Sequence, residues 1–553
     1  MKTLCRAIIK EVLDKKIKDI DSVLKVRGKL CKEYKPRSLP TLIQILSYAK
    51  NSELKRLNFI QTKPTRAISG VSVVAIMTKP FRCPHVKSGL GPCIMCPGGI
   101  ESYFGNVPQS YTGREPATMR GIRNKYDSYL QVMNRLEQYI LLGVIPDKIE
   151  LIIMGGTFPS VNKKYQEEFV KYAFKAMNDF SKLFFKKGEF NFSKFKKFFE
   201  LPGDVGDKER IKNIHEKLLK IKGKCGLGEE QKKNEKTKIR CVGLTIETRP
   251  DYATQKEAEQ MLKLGCTRVE LGMQSVYGDV LKFMKRGHNT EDTKNAFRTL
   301  KNYGFKINVH YMLGFKKPKE ELEGLKKLFS DEDYRPDMLK LYPVMVVKGT
   351  RLYELWKTKK YKPLTTKEIV NVLSKFKSII PKYVRVMRVQ RDIPGYLAEA
   401  GASVNNLRQY IKSEMSKQGL TCQCIRCREI RNETILKPEI KVIEYNASQG
   451  KEYFLSFEEK DKIIGFCRLR IFDNKAFVRE LHVYSRILEI GTSGKSLQHK
   501  GFGKKLIKKA EEICKENKIN KLYIISGIGV REYYRKLGYK KEGYYMSKLL
   551  KSI

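Results

Sequence analysis

The stretch KPFRCPHVKSGLGPCIMCPGG, residues 79–99, carries three cysteines in a spacing that decides how the rest of the chain is interpreted. Nine residues separate Cys83 from Cys93, two separate Cys93 from Cys96, and no fourth cysteine follows nearby. A cubane iron-sulfur cluster has four irons, so three thiolates leave one iron open to a small chelating molecule. The alternative is a zinc knuckle, but Zn²⁺ prefers a closed set of four ligands from two tight pairs. The wide first gap therefore favours a 4Fe-4S cluster.

Apolar strand-like runs alternate with helical patterns over residues 71–345, which we expect to form one domain. Near-continuous apolar strands separated by helices are typical of a parallel sheet covered on both faces. Six such units predict an α/β fold with a partial (β/α)6 barrel. Such barrels carry their chemistry at the carboxyl ends of the strands, and Cys83 follows the first strand there. The six predicted strands are VSVVAIM (71–77), IELIIMGG (149–156), CVGLTIET (241–248), TRVELGMQ (267–274), KINVHYMLG (306–314) and DMLKLYPV (337–344).

Two regions flank or interrupt this barrel. Apolar residues at helical spacing predict a basic helical N-terminal module over residues 1–70. A basic insertion at about 180–240 interleaves lysines with phenylalanines, a composition that can bind RNA through phosphate contacts and base stacking. The alternative, which we expect, is an inserted helical pair that buries its phenylalanines.

The connector over residues 346–437 ends in GLTCQCIRCREIR, which contains Cys422, Cys424 and Cys427. Three cysteines this close together predict a compact metal clamp, most economically for zinc. No fourth ligand can be named, because all six histidines are distant in sequence. We expect this zinc site to hold two domains together rather than to catalyse a reaction.

The last region, residues 438–553, has antiparallel strand patterns followed by QHKGFG, residues 498–503, at the start of a helix. Gln498 opens this motif, and the glycines Gly501 and Gly503 allow backbone amides to converge on a pyrophosphate at the positive end of the helix dipole. Within a strand meander, this loop resembles the coenzyme A loop of the GNAT acetyltransferases. We expect an α+β GNAT domain here.

The charge of the chain is strongly positive: 111 Lys and Arg against 60 Asp and Glu give +51 over 553 residues. Self-repulsion of this size is hard to tolerate without an anionic partner, and nucleic acid is the expected one. The alternative is a lysine-rich, thermophilic proteome in which part of the charge only improves solvation. Thirteen cysteines, no signal-peptide pattern and no apolar run of bilayer length predict a cytoplasmic protein without a membrane partner.

These motifs together resemble the catalytic subunit family of Elongator, over nearly the full length of the chain. The resemblance rests on CPHVKSGLGPCIMCPGG, IETRPD (246–251), the CxCxxC clamp, and the tail ELHVYS, QHKGFG and GVREYYRKLGYKKEGYYM. It implies that the barrel is a radical S-adenosylmethionine (SAM) domain and that the last domain binds acetyl-CoA. The wide spacing of the first three cysteines is typical of this family.

The resemblance implies an enzyme that forms 5-carboxymethyluridine at the wobble position of transfer RNA, with acetyl-CoA as the carbon source. Uracil carbon 5 and the acetyl methyl are both unreactive in acid-base chemistry, so a SAM-derived radical supplies the reactivity. In this scheme the radical takes hydrogen from the acetyl methyl, the carbon radical adds to uracil, and thioester hydrolysis releases the product. The cluster requires an electron donor, and Elongator-like subunits or self-association are further expected partners.

The implied cluster ligands are the three cysteines of the first stretch. Gly155, Gly156 and Thr157 lie where many radical SAM proteins carry G-G-E to hold the SAM amino group, and Thr157 departs from that pattern. Further SAM contacts are implied at the ends of the next two strands, for Glu247, Arg249 and Gln274. The alternative for these three residues is an ion pair across barrel strands.

On the acetyl-CoA side, the amides of Phe502, Gly503 and Lys504 are expected to bind the pyrophosphate. Lys148 is implied as a cation that reaches CoA from the barrel. The pantetheine arm is expected to pair with the strand edge Glu480, Leu481, His482 and Val483. The tyrosines implied at the thioester or in its hydrolysis are Tyr534, Tyr544 and Tyr545, with packing as the alternative for the last two.

Two other functions stay open from the sequence. One is a protein-lysine N-acetyltransferase with a structural iron-sulfur domain, although the positive charge favours RNA over a peptide. The other is a non-catalytic tRNA-binding scaffold, which would need neither the cysteine motif nor the coenzyme A loop.

Overall fold

The computed structural model describes residues 1–36, 38–54, 56–57, 59–60, 70–203, 206–430, 437–484 and 501–550. Its centre is a seven-stranded sheet in which neighbouring strands are parallel and follow one another in chain order. The strands are β1 (Ser72–Met77), β2 (Lys148–Met154), β3 (Arg240–Thr248), β4 (Arg268–Gln274), β5 (Lys306–Leu313), β6 (Met338–Pro343) and β7 (Arg385–Val389).

All six strands expected from the sequence are present, and β7 is an addition to them. Strand β7 lies within the connector predicted over residues 346–437, so the barrel extends beyond residue 345. The reason is compositional. Arginines at positions 385 and 388 interrupt the short strand RVMRV, and it therefore lacks the continuous apolar run that marks its neighbours.

The sheet has one apolar and one polar face. Residues such as Leu151, Val269 and Val309 point outward into a core shared with the covering helices. Because side chains alternate along a strand, their neighbours point into the half-barrel. We call these inward positions the inner face, and its polar members are Lys148, Glu150, Thr245, Glu247, Arg268, Glu270, Lys306, Asn308, His310, Lys340, Tyr342, Arg385 and Arg388.

Helices cover the outside of the sheet. Many begin with side-chain caps, such as Asp127 and Asn289, whose oxygens accept from backbone amides of the first turn. The helices of this region are Pro84–Lys87, Pro116–Arg123, Ser128–Leu141, Lys163–Phe184, Gln255–Leu264, Gly278–Phe283, Thr290–Asn302, Pro318–Ser330, Arg351–Lys357, Thr366–Ser378, Leu407–Lys417 and Ile425–Arg428. Three short strand pairs complete it, Gly99–Ser102 with Gly105–Val107, Phe185–Lys186 with Glu189–Phe190, and Met345–Val347 with Ala398–Gly401.

The insertion forms three helices, Phe192–Phe198, Lys208–Lys222 and Leu227–Asn234. Its phenylalanines pack into one aromatic cluster in which Phe184, Phe195 and Phe199 are fully buried. These three rings are therefore core residues, as the burial alternative expected, and cannot stack on bases.

The N-terminal module consists of the helices Lys2–Asp14, Ile20–Tyr34, Leu42–Ser47 and Asn51–Leu54 around a small core of its own. It touches the insertion, where Lys196 Nζ donates to the carbonyl of Ala49 at 3.4 Å. No helix among the described residues is both long and apolar enough to cross a membrane.

The last domain is a second seven-stranded sheet with the order β8-β9-β10-β11-β12-β14-β13. Its strands are β8 (Glu439–Ala447), β9 (Gly450–Glu459), β10 (Lys462–Phe472), β11 (Lys475–Val483), β12 (Lys521–Ile524), β13 (Lys540–Glu542) and β14 (Tyr545–Leu549), and its helices are Phe502–Glu516 and Arg531–Arg535. This is the α+β arrangement expected from the sequence.

This domain docks on the amino-terminal ends of the barrel strands. Gly527 lies so close to the carbonyl of Val242, at the start of β3, that a β-carbon would clash with the carbonyl oxygen. Arg479 Nη1 donates to the carbonyl of Phe305, just before β5, at 2.9 Å. The cysteine loop lies after β1, so the two domains' motifs face opposite ends of the half-barrel.

Candidate active site

The three cysteines of the first stretch line one cavity at the carboxyl ends of the barrel strands. Arg286 Nη1 donates to Cys93 Sγ and the backbone amide of Ser110 donates to Cys96 Sγ, both at 3.3 Å. Burial raises the pKa of the Cys83 thiol, and it raises that of Cys96 to about 11. A bound metal cluster would offset this cost by stabilising the thiolates. The donor set of one buried and two half-buried thiols with a nearby guanidinium fits a 4Fe-4S cluster.

His85 supports the loop from within. Its Nε2 accepts from the backbone amide of Gly287 at 2.9 Å, and its Nδ1 lies 3.6 Å from Cys93 Sγ. A β-carbon at Gly287 would come within 2.5 Å of the imidazole ring. Glycine is therefore required where the cysteine loop meets the segment after β4.

The glycine pair after β2 forms part of the same cavity wall. Gly155 and Gly156 have φ values of +130° and +101°, which favour glycine. A β-carbon at Gly155 would be 2.0 Å from Thr78 Oγ1, and one at Gly156 would be 2.7 Å from Gln109 Oε1. Thr157 follows, buried in the cavity wall. Gly156 and Thr157 therefore line the cavity in which the SAM contact is predicted.

Glu247 lies at the carboxyl end of β3 and does not pair with Arg249. Its carboxylate accepts from Tyr111 Oη at 3.1 Å and from the backbone amide of Gly155 at 3.3 Å. Burial, followed by the charge of Glu270, raises the pKa of Glu247 to about 7. A cross-strand ion pair, the alternative for these residues, is therefore not formed here.

Arg249 and Gln274 both present unused polar atoms to this site. Arg249 pairs with Asp251 through Nε and Nη2, whereas its buried Nη1 has no hydrogen-bond partner among the described residues. Gln274 has a φ of +69°, and its buried Oε1 is likewise unpartnered in the described chain. Strained backbone and unsatisfied groups at one cavity are typical of ligand sites. These atoms fit a ligand with carboxylate, amino and hydroxyl groups such as SAM.

A second charged group lies below them on the inner face. Glu270 accepts from His310 Nε2 at 2.8 Å and pairs with Lys340. Burial alone would raise the pKa of Glu270, but the charge of Lys340 and the hydrogen bond from His310 hold it well below its ordinary value. Glu247, Glu270 and His310 bring one ligand atom each within 4.8 Å of one another.

The acetyl-CoA motifs meet on the second domain. Strand β11 pairs with β12 through Ala476, Phe477 and Val478, and no strand among the described residues pairs with this edge beyond Val478. Leu481 and Val483 lie along it, half-buried against the domain core. Glu480 pairs with Arg468, and the half-buried His482 has a buried Nε2 that is unpartnered among the described residues. The open edge fits a pantetheine arm.

The glycine loop precedes the helix Phe502–Glu516. Gly501 is the N-cap with a φ of +76°, and a β-carbon at Gly503 would be 2.7 Å from Tyr533 Oη. The first backbone amides of this helix, including that of Lys504, have no intrahelical acceptor and suit a pyrophosphate. Gln498 lies outside the described residues.

Comparisons with known proteins agree with both halves. Family models match the radical SAM superfamily at residues 93–329, its C-terminal domain at 336–417, the GNAT acetyltransferase family at 425–539 and the ELP3 N-terminal domain at 1–68. The tRNA uridine(34) acetyltransferase of Methanocaldococcus infernus is 43% identical over 100% of this chain and 99% of its own. Elongator complex protein 3 of Saccharomyces cerevisiae is 37% identical over 94% and 90%. The chain belongs to the Elongator protein 3 family.

A solved structure supports the same fold for the family. The archaeal Methanocaldococcus infernus Elp3 with an N-terminal deletion superposes with a TM-score of 0.70 at 39% sequence identity, covering 87% of this chain and 100% of that one.

The tyrosines differ in how well they fit the Elongator protein 3 site. Tyr534 is buried in the acetyltransferase core, where burial raises its pKa well above the ordinary value. Tyr545 Oη donates to the carbonyl of Tyr303 at 3.0 Å, so packing against the barrel accounts for it. Tyr544 is 43% exposed and lines a surface cleft beside Lys163. The contacts of Tyr544 and Tyr545 give their predicted role in hydrolysis no support. Tyr533, at the glycine loop, is a residue that the sequence analysis missed.

Lys148 starts β2 and is the partner of Arg240 in the sheet register. Arg240 contacts Gly529 of the acetyltransferase domain. Lys148 is thus at the end of the half-barrel that faces this domain, where the CoA assignment needs it.

The second cysteine group joins the two domains of this Elongator protein 3 relative. Cys422, Cys424 and Cys427 place their sulfur atoms within 4.8 Å of one another, close enough for one metal ion of zinc's size. Next to them, Ile425 N donates to the carbonyl of Val384 at 2.9 Å and Ile430 N to that of Ile463 at 3.0 Å. The group therefore lies between β7 of the barrel and β10 of the second sheet.

Several site residues were not found from sequence. The residues are Tyr111, Arg286, Glu270, His310 and Lys340. For Glu270, His310 and Lys340 a signal was available, because a polar side chain inside the apolar run of a parallel strand must face the barrel interior.

Proposed function

We propose that this protein carboxymethylates carbon 5 of the wobble uridine of tRNA, with SAM and acetyl-CoA as co-substrates. The observation that carries the proposal is the combination of two sites. One is a cavity with three cysteines and with polar atoms that lack partners among the described residues, and the other is a strand edge of the acetyltransferase domain beside a glycine loop. Both occur in one chain whose domains share a buried interface. The Methanocaldococcus infernus relative is named a tRNA uridine(34) acetyltransferase, which agrees with this substrate.

Cys83, Cys93 and Cys96 would hold the 4Fe-4S cluster, which together with SAM supplies a 5′-deoxyadenosyl radical when both are bound. Arg249 Nη1 is available to the SAM carboxylate. Gln274 Oε1 and the glycine backbone after β2 are available to its amino and ribose groups.

In the second domain the amides of Phe502, Gly503 and Lys504 would bind the CoA pyrophosphate, and Lys148 would add a cation from the barrel. The edge after Val478 would hold the pantetheine arm. We propose that Tyr534, in the acetyltransferase core, and Tyr533, beside Gly503, line the thioester. Cys422, Cys424 and Cys427 would bind zinc.

The partners follow from charge and redox chemistry. A net charge of +51 suits tRNA, and it predicts an affinity that falls steeply with salt as counterion release is lost. The cluster needs an external electron donor. Association with Elongator-like subunits is compatible with the family and is part of the proposal.

The test is an anaerobic incubation of the iron-reconstituted protein with SAM, reductant, isotope-labelled acetyl-CoA and bulk tRNA, followed by mass spectrometry of nucleosides. We expect labelled carboxymethyluridine together with deoxyadenosine. Deoxyadenosine without labelled nucleoside would contradict the proposed substrate. Absence of both products would favour a lysine acetyltransferase or a scaffold.

A further inference from the structure

The cysteine loop is held against residues 284–287, a segment that follows β4 and one short helix. Ile94 N donates to the carbonyl of Met284 at 3.2 Å. A second bond runs the other way, from the backbone amide of Gly287 to His85 Nε2 at 2.9 Å. Because bonds in both directions join the two segments, the side chains at their junction have defined positions in the cavity.

The bond from Gly287 determines which nitrogen of His85 carries the proton. A backbone amide can only donate, so Nε2 is the unprotonated nitrogen that accepts from it. A neutral imidazole has one proton on its two nitrogens, and that proton is therefore on Nδ1. This Nδ1 lies 3.6 Å from Cys93 Sγ, a distance at which an N–H group donates to the large sulfur atom. His85 is thus a hydrogen-bond donor to Cys93.

Arg286 is a second donor to the same sulfur. Its Nη1 donates to Cys93 Sγ at 3.3 Å, and its Nη2 donates to the carbonyl of Gly272, near the end of β4, at 2.8 Å. The second bond fixes the guanidinium between the strand end and the cysteine loop. Cys96 instead accepts from a backbone amide, that of Ser110. An imidazole and a guanidinium therefore converge on one thiolate ligand of the predicted cluster.

Hydrogen bonds to its sulfurs help to set the reduction potential of an iron-sulfur cluster. We propose that His85 and Arg286 are tuning residues that raise the reduction potential of a cluster bound through Cys93. The inference rests on the cluster assignment in the function proposed above. One electron passes from the external donor to the cluster, no bond of the protein forms or breaks, and Nδ1 keeps its proton. Because the electron adds negative charge, the two donors stabilise the reduced form more than the oxidised form.

The test is a redox titration of the iron-reconstituted full-length protein without SAM, followed by EPR spectroscopy. Two variants separate the two hydrogen bonds of His85. Asparagine places an N–H group near the position of Nδ1 and still donates to Cys93. Glutamine reaches the position of Nε2, so it replaces only the bond with Gly287.

We expect His85→Gln to lower the ratio of reduced to oxidised cluster at a fixed potential at least threefold, whereas His85→Asn stays near the wild type. The effect is part of the free energy of one hydrogen bond to a charged group. His215→Gln is the matched control, because His215 is a buried histidine of the insertion that contacts Asn124 instead of a cysteine. It should leave the ratio unchanged.

Arg286→Met keeps a long side chain but removes the charge and both donors. We expect it to lower the same ratio about tenfold, which equals about 59 mV for a one-electron couple. Equal potentials in the wild type, His85→Gln and Arg286→Met would overturn the proposal. An equal shift in His85→Asn and His85→Gln would also overturn it, because packing rather than the donor would then set the potential.

A measurement on the cluster-free protein covers the case in which His85→Gln does not assemble the cluster. ¹⁵N NMR of the histidine side chains reports which ring nitrogen is protonated, and the signal lost in His85→Gln identifies His85. We expect the neutral form with the proton on Nδ1. A proton on Nε2 would overturn the proposal.

Activity separates this inference from the proposed function. Deoxyadenosine formation by His85→Gln should fall with a weak reductant and recover with a strong one such as titanium(III) citrate. If the wild type makes labelled carboxymethyluridine but the potentials of the variants match its own, the tuning role is wrong and the function stands. A wild type that binds no 4Fe-4S cluster after reconstitution would overturn both.

Discussion

At the scale of single residues, Cys93 holds the cluster loop to the rest of the site through Arg286. Cys93→Ser removes a cluster ligand while serine keeps an acceptor for Arg286, so we expect deoxyadenosine formation to be abolished with RNA affinity largely intact. Product analysis and RNA filter binding check this. Cys225→Ser, in the insertion, is the matched control. Loss of RNA affinity in Cys93→Ser would indicate a structural cluster instead.

Glu247 gives a pH prediction. Its pKa is about 7 in the folded protein, whereas an unfolded glutamate titrates at about 4.3. Between these values the folded state holds a proton that the unfolded state has lost, so the stability that depends on Glu247 falls as pH rises, and the loss is complete above about pH 7. Glu247→Gln should therefore raise the Tm relative to wild type more at pH 8 than at pH 5. The exposed Glu323→Gln should show no such difference, and an equal change at both pH values in Glu247→Gln would contradict the assignment.

At the scale of elements, the helix Phe502–Glu516 depends on the fit between Gly503 and Tyr533. Gly503→Ala puts a methyl 2.7 Å from Tyr533 Oη, so the loop must shift and acetyl-CoA affinity should fall about tenfold. Tyr533→Phe combined with Gly503→Ala removes the hydroxyl and should recover part of the affinity. Isothermal titration with CoA measures both. Unchanged affinity in Gly503→Ala would contradict the pyrophosphate site.

The cysteine clamp is an element-scale prediction about metal. We expect one zinc per chain by plasma mass spectrometry, and we expect Cys424→Ser to lose it and to lower the Tm, since the clamp joins β7 to β10. The buried Cys514→Ser, in the acetyltransferase helix, should keep the zinc. Zinc that persists in Cys424→Ser would rule out this clamp as its site.

How much the sequence could predict depended on the kind of element. Runs of mostly apolar residues identified six barrel strands, because the outer face of the sheet packs against the covering helices. The seventh strand was missed because Arg385 and Arg388 break its apolar run. The cysteine and glycine motifs predicted both cofactor sites from local spacing alone, and these assignments stay predictions. Arg286 and Tyr111 could not be found, because only the fold brings them beside Cys93 and Glu247.

At the scale of the whole molecule, buried charges join the barrel to the acetyltransferase domain. Arg479 pairs with Asp337, before β6, and with Glu452 of β9, and all three are fully buried. Asp337→Asn leaves Arg479 with one of its two carboxylates and should cost about 3–5 kcal/mol of stability, as removal of one partner of a buried pair does. The exposed Asp461→Asn should cost little.

The same contacts predict that wild-type domains unfold together. The single tryptophan, Trp356, reports on the barrel, while hydrogen exchange of β10 reports on the acetyltransferase sheet. We expect one transition from both probes in the wild type and two separate transitions in Asp337→Asn. Separate transitions already in the wild type would contradict the coupling.

The docking of the second domain on the amino-terminal strand ends has a chemical consequence of its own. A strand such as β2, seven residues long, spans about 20 Å at 3.3 Å per residue. Thiols give up hydrogen atoms readily, so a free CoA sulfhydryl beside a primary carbon radical would quench it. Under the proposed function, the length of the barrel strands would separate the thiol of spent CoA from the cavity in which the radical forms.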